Sequence, residues 1–341
     1  MKTLRLTTSE EDIRRAGEII RDGGLVAFPT ETVYGLGANA LNAEAVTSVY
    51  EAKGRPSDNP MIVHISDIED LDDLVAGGYI RISPYAKLAA KKLWPGPLTM
   101  VFVKNPSVPD VTTGGLVTVA IRMPMSETAR SLIAAAGVPV AAPSANISGR
   151  PSPTTAEDVL EDMDGRIDAV IMGEQCDVGI ESTVVDMTGD EPVILRPGII
   201  TKEWLEGAIG FPVSYDKSLL IDLDEEGSGL EASGEFRPKS PGMKYTHYSP
   251  KAKVRLIAGD DATFGRKVME LGLEAKREGL RPAILEYGND ANKAAHKLFA
   301  DLRELDRQGY DIILIRAIDT KGAGFGVMNR MLKSAGYDIV K

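Results

Sequence analysis

AEAVTSVYEAKGRPSDNPMIVHIS, residues 43–66, passes from a helical repeat through a turn into an apolar run. Val46, Val49 and Tyr50 fall on one helical face, and Asn42 just before them is a natural N-cap. KGRPSDNP (53–60) then closes off any regular helix, because Pro56 and Pro60 restrict the backbone and Asp58 and Asn59 supply turn chemistry. MIVHIS (61–66) reads as a strand. A helix handed to a strand through a stiff turn is the building unit of an α/β layer.

The same alternation spreads outward. LVAFPT (25–30), LTMVFVK (98–104), VTVAIRMP (117–124), VPVAAPS (138–144), DAVIMG (168–173), STVVDM (182–187) and PVILRPG (192–198) read as strands. SETARSLIAAAG (126–137) is a helix with a Ser cap and a closing Gly. The crossovers between them are irregular, which predicts a twisted mixed sheet with flanking helices over residues 1–210. From 211 to 250 the periodicity dissolves into an acidic linker that ends in SPGMKYTHYSP (240–250), unusually aromatic for a spacer. Residues 251–341 alternate strand and helix strictly, as a small Rossmann-like parallel domain does.

Charge is unevenly divided. Residues 251–341 carry 17 Lys+Arg against 13 Asp+Glu, leaving 22 against 37 in residues 1–250. So acidic a body attracts phosphate backbones poorly, and stable nucleic-acid binding is not expected. An anion site there has to be local, a few cations focused in a cleft, and Lys53 and Arg55 form one wall of such a cleft. No apolar run of membrane-spanning length and no apolar signal core are found, and Cys176 is the single cysteine. A cytoplasmic protein is expected. His64, His247 and His296 are too scattered to indicate a metal centre.

Chemistry gathers at strand ends. PTETVYGLG (29–37) places Thr30, Glu31, Thr32 and Tyr34 after a strand, where α/β ligands usually sit. APSANISGRPSPT (142–154) offers Ser144, Asn146, Ser148 and Ser152 as neutral donors; GIESTVVDM (179–187) and ILRPG (194–198) add Ser182, Thr183 and Arg196, and VAIRMP adds Arg122. No GxxxxGK[ST] loop or GxSxG elbow occurs, and the GxG of KGAGFGVMNR (321–330) reads as a tight strand-to-helix turn.

PTETVYGLG, KGRPSDNP with MIVHI, WPGPLTMV, VAIRMP, APSANISG, ESTVVD and ILRPG follow one another in an order that resembles the YrdC-type domain of threonylcarbamoyl-AMP synthases. SPGMKYTHYSP and the βα tail resemble the long, two-domain form of that family. The resemblance implies a nucleotidyltransferase that joins L-threonine, bicarbonate and ATP, with Mg2+ accompanying the ATP. Its product serves a threonylcarbamoyl transferase that modifies tRNA. It assigns Thr32, His64, Arg122, Ala142 and Ser182 to threonine, and Arg55, Asn59, Thr118, Ser144, Ser152 and Arg196 to ATP. Lys53 and Arg55 would stabilise charge during transfer. The linker would close as a lid, with Tyr245 reaching the nucleotide. Two other readings are an RNA-binding module of the same fold and a carbamoyl-adenylate step in metal-centre maturation; a single cysteine disfavours the latter.

Overall fold

The computed structural model describes residues 2–219 and 248–341. Two sheets organise these residues. The first contains β1 (Leu4–Leu6), β2 (Val26–Phe28), β3 (Gly35–Asn39), β4 (Ile62–His64), β5 (Leu98–Val103), β6 (Thr118–Arg122), β7 (Val140–Ala141), β8 (Ala169–Ile171), β9 (Thr183–Asp186), β10 (Val193–Arg196) and β11 (Ser214–Tyr215). Its order is β1-β8-β2-β3-β7-β4-β6-β5-β9-β10-β11. Five of its ten pairings are parallel and five antiparallel, so the sheet is mixed as expected. The second sheet holds β12 (Lys253–Ile257), β13 (Pro282–Leu285), β14 (Ile312–Arg316) and β15 (Ile339–Val340), in the order β13-β14-β12-β15, and is parallel throughout.

Local chemistry sets the flanking helices. Helix Ala43–Lys53 begins where the Asn42 side chain accepts from the Glu44 and Ala45 N–H groups. It ends at Gly54, left-handed with φ 60. Helix Glu127–Ala136 is capped by Ser126 and closed by Gly137. Against it packs a helix that the sequence reading passed over, Glu10–Arg21, which buries Ile13, Ala16, Gly17 and Ile20. Among the described residues no helix is long and apolar enough to cross a membrane.

The charge imbalance has a structural counterpart. Helix Ala291–Arg307 of the second half lies against the acidic helix Ala156–Met163 of the first. Arg303, 1% exposed, places its Nη2 2.9 Å from Asp162 Oδ2 and donates from Nε and Nη2 to the Pro151 carbonyl. Arg307 reaches Asp158 at 2.9 Å and Glu161 at 3.2 Å. Around these pairs the contact is apolar: Val33 and Ile180 share a buried cluster with Phe299, Val327 and Met331. The basic tail therefore answers part of the acidic body.

Gly179 sits at this junction with φ +80, and its N–H donates to the Thr32 carbonyl at 3.1 Å. A Cβ there would run into the Ala295 carbonyl and the His296 backbone. Gly179→Ala is expected to destabilise the protein by about 2–4 kcal/mol, strain and overpacking together. Gly279 is also left-handed, with φ +76, but has open space around it. Gly279→Ala should therefore cost only about 1 kcal/mol. Denaturant melts of the two variants separate the terms, and equal losses would show that residue 179 makes no tight contact.

Candidate active site

Strand register begins the assembly. β4 and β6 are parallel neighbours with His64 opposite Arg122, which sets the two side chains beside each other at the carboxyl ends of their strands. β7 runs antiparallel to β4 and leads into Ala142, whose N–H donates to the Ile62 carbonyl at 2.9 Å. A bridge between Gly35 and Ser144 brings the APSAN segment onto PTETVYGLG. β9 and β10 add Ser182 and Arg196 from the other side. One hollow results. Its walls include Thr32, Lys53, Arg55, His64, Arg122, Ala142, Ser144, Ser182 and Arg196, nine residues singled out from the sequence.

One end of the hollow is built around Arg122. Its Nη1 donates to Thr32 Oγ1 at 2.9 Å, its Nε to the Gly96 carbonyl at 3.3 Å, and its Nη2 lies 2.7 Å from Glu31 Oε1. Burial alone would raise the Glu31 carboxyl; the Arg122 guanidinium outweighs it and holds the group below the usual glutamate value. Three contacts on a five-donor guanidinium leave N–H capacity for a further carboxylate. His64 stands edge-on to Phe28, with ring centres 6.2 Å apart. Its Nδ1 has no hydrogen-bond partner among the described residues. Burial, then the neighbouring Arg122, pulls its pKa down to about 3, so the ring is neutral. Ser182 Oγ lies 2.7 Å from Thr99 Oγ1 and accepts from Arg196 Nη2 at 3.1 Å.

The other end is cationic. Arg196 donates from Nε to the Ser182 carbonyl, and burial brings its pKa to about 10. Arg55 is half-buried and donates to the Asn59 and Pro60 carbonyls, which fixes the guanidinium on its own proline turn. Lys53 lies on the wall as well. It is 2% exposed, and its ammonium donates to the Ser144 and Asn146 carbonyls. Burial and then Arg55 pull its pKa well below the ordinary lysine value. In this geometry Lys53 pins the APSAN loop to the basic turn, its buried ammonium satisfied by carbonyls.

Thr30, Asn146 and Ser148 also line the hollow, while the remaining sequence candidates lie off its walls. Thr118 begins β6, at the opposite end of that strand from Arg122. Asn59 is 2% exposed behind the turn, where its carbonyl accepts from Tyr50 and Arg55. Ser152 is fully buried and donates to Glu181 Oε1 at 2.6 Å. Tyr34 is a core residue, and Thr183 donates to the Ile200 carbonyl. Tyr245 falls outside the described residues, while Tyr248, at φ 66, lines the hollow and stacks on Phe299 at 5.0 Å. Sequence reasoning also missed Glu181 and Arg150 as wall residues. Glu181 stood inside the quoted GIESTVVDM, but an acid in an anion site carries no signal until its partner is known.

The His64 shift gives a pH test. The unfolded histidine takes up a proton near its ordinary 6.5, the folded one only near 3. Stability from this group is complete above the unfolded value and is lost as pH falls towards the folded one, at up to about 1.4 kcal/mol per pH unit. Wild type should lose roughly 1 kcal/mol more per unit than His64→Gln between about pH 6 and pH 4 in urea unfolding. Parallel curves would mean that His64 is charged in the folded protein.

Comparison with known proteins agrees with this geometry. A family model described as "Telomere recombination" matches residues 18–198, and one described as "Threonylcarbamoyl-AMP synthase, C-terminal domain" matches residues 200–336. Threonylcarbamoyl-AMP synthase of Pyrococcus abyssi is 45% identical over 99% of this chain and 98% of that protein. The Bacillus subtilis protein of the same name is 42% identical over 99% and 97%. A putative threonylcarbamoyl-AMP synthase of Mycobacterium tuberculosis is 35% identical over 56% of this chain and 86% of its own length. The crystal structure of P. abyssi Sua5 complexed with L-threonine superposes with a TM-score of 0.89 at 44% identity, covering 100% of this chain and 99% of that one. The chain belongs to the two-domain threonylcarbamoyl-AMP synthase family.

Proposed function

We propose that the hollow condenses L-threonine, bicarbonate and ATP into threonylcarbamoyl-AMP and pyrophosphate. The observation that carries this reading is the shared hollow itself: a carboxylate-type end around Arg122 and a phosphate-type end around Arg55, Ser144 and Arg196 face one space. The amine of threonine adds to CO2 derived from bicarbonate and gives a carbamate. A carbamate oxygen then attacks the α-phosphorus of ATP, and the bond to pyrophosphate breaks. Both reactants are anions, so the protein's contribution is alignment and charge neutralisation, without a covalent nucleophile.

Arg122 takes the threonine carboxylate while Glu31 and Thr32 hold it in orientation. Neutral His64, Ser182 and the Ala142 backbone bound the threonine side chain. Arg55 and Arg196 meet the phosphates, with Ser144 as a neutral donor. Ser152, Asn59 and Thr118 act from behind or beside this site, and Lys53 shapes it. Magnesium enters as part of the ATP substrate. Glu181, the one carboxylate among the described wall residues, is already engaged by Ser152 and by Arg330, so the walls offer the ion no vacant acid. The product suits a downstream transferase acting on tRNA. The single buried cysteine, whose thiol burial pushes up to about 12, accords with a reducing cytoplasm.

The test is pyrophosphate release with each substrate omitted in turn; release should require all three. Arg122→Ala should raise the KM for threonine by about tenfold or more while moving that for ATP much less. Arg55→Ala should lower kcat/KM for ATP by about a hundredfold. Release without threonine, or equal rises in both KM values for Arg122→Ala, would overturn the reading.

A further inference from the structure

Arg330 lies in the second half of the chain, on helix Ala323–Ser334, yet it is fully buried behind the hollow. Its Nε donates to Glu181 Oε2 at 3.0 Å, and its Nη2 to the Glu181 carbonyl at 3.3 Å. Its Nη1 donates to the Pro197 carbonyl at 2.5 Å. Glu181 immediately precedes Ser182, and Pro197 immediately follows Arg196. One guanidinium thus ties together the two chain segments that present Ser182 and Arg196 to the hollow. The helix that carries it is held backbone to backbone: a Cβ on Gly326 would lie 3.0 Å from Gly198 Cα.

The carboxylate so engaged faces an anion site. Burial alone would raise the Glu181 carboxyl; Arg330 first, then Arg196 and the Ser152 hydroxyl, hold it below the usual value and so charged. Without Arg330, that charge would remain beside the phosphates or draw Arg196 onto itself. Either result weakens the site for a polyanion.

The geometry points to Arg330 as a positioning residue for the nucleotide: it neutralises Glu181 and fixes the spacing of Ser182 and Arg196, so that the C-terminal domain completes the phosphate end of the hollow from behind. This assignment rests on the ATP reading given above. It gives the second half of the chain a part in the reaction without contact with either substrate.

The test uses the full chain and steady-state pyrophosphate release. Arg330→Met should raise the KM for ATP by about tenfold or more, and that for threonine by no more than about threefold. Adding Glu181→Gln to Arg330→Met removes the unanswered charge and should recover at least about threefold of the loss. A purely structural contact would move the KM values for ATP and threonine together, so a loss and a recovery confined to ATP are the readouts that separate the two roles. If Arg330→Met does not fold, Arg330→Lys replaces it: the ammonium keeps the charge but loses the fork, so a smaller rise, again reduced by Glu181→Gln, is expected. An ATP KM within about twofold of wild type, equal rises for both substrates, or no recovery in the double variant would overturn the assignment. If wild type itself releases no ATP-dependent pyrophosphate, the proposed function fails instead, so the two failures are distinguishable.

Discussion

Two guanidinium groups stripped of water, Arg303 and Arg330, tie the second sheet layer to the first. Each leaves the C-terminal sheet layer and is buried in the N-terminal one. Taking such charges out of water costs several kcal/mol per ion, and the cost is recovered only where every donor is met. Arg303 meets Asp162 and the Pro151 carbonyl; Arg330 meets Glu181 and the Pro197 carbonyl. Both acceptor sets belong to segments next to the hollow. Docking of the two halves and the shape of the site are consequently one problem with one solution.

The chemistry explains why an acidic chain contains so cationic a hollow. Two anions must be brought within bonding distance in a cavity where their repulsion is poorly screened. In the proposed reaction Arg122, Arg196 and Arg55 would meet this need as oriented forks, each restrained by carbonyls or hydroxyls of the protein. Neutral His64 completes the wall without adding charge. The two acids at the hollow are paired: Glu31 with Arg122, and Glu181 with Arg330.

Much of this was legible in the sequence where local physics decides. Helix Ala43–Lys53 follows from the Asn42 cap, the apolar stripe and Gly54, and the strands follow from short apolar runs between Pro and Gly. Helix Glu10–Arg21 was equally legible, with Ser9 as its cap and Ile13, Ala16 and Ile20 in register, but the reading did not take it up. GLGAN, whose two glycines lack side chains to show alternation, is not read as a strand from the sequence; it forms β3, where Gly37 allows Phe28 and Val140 to approach. The hollow's membership was visible because its residues cluster at strand ends. Their pairings were not. That the Lys53 ammonium also spans to the Ser144 and Asn146 carbonyls is visible only in three dimensions. Glu181 and Arg330 are separated by most of a domain, and only the docked fold relates them.

The acidic helix Ala156–Met163 has an implication for modular inheritance. A chain that stopped short of the second sheet would leave Asp158 without Arg307 and Glu181 without Arg330, would take Arg303 from Asp162, which keeps Arg150, and would bare Val33 and Ile180 to solvent. Truncation there would turn a paired, buried seam into charged and apolar surface, and compensating cations or uncharged side chains at those few positions would offset the loss, so what a one-domain version needs is written in the acids of a single helix and one strand tip.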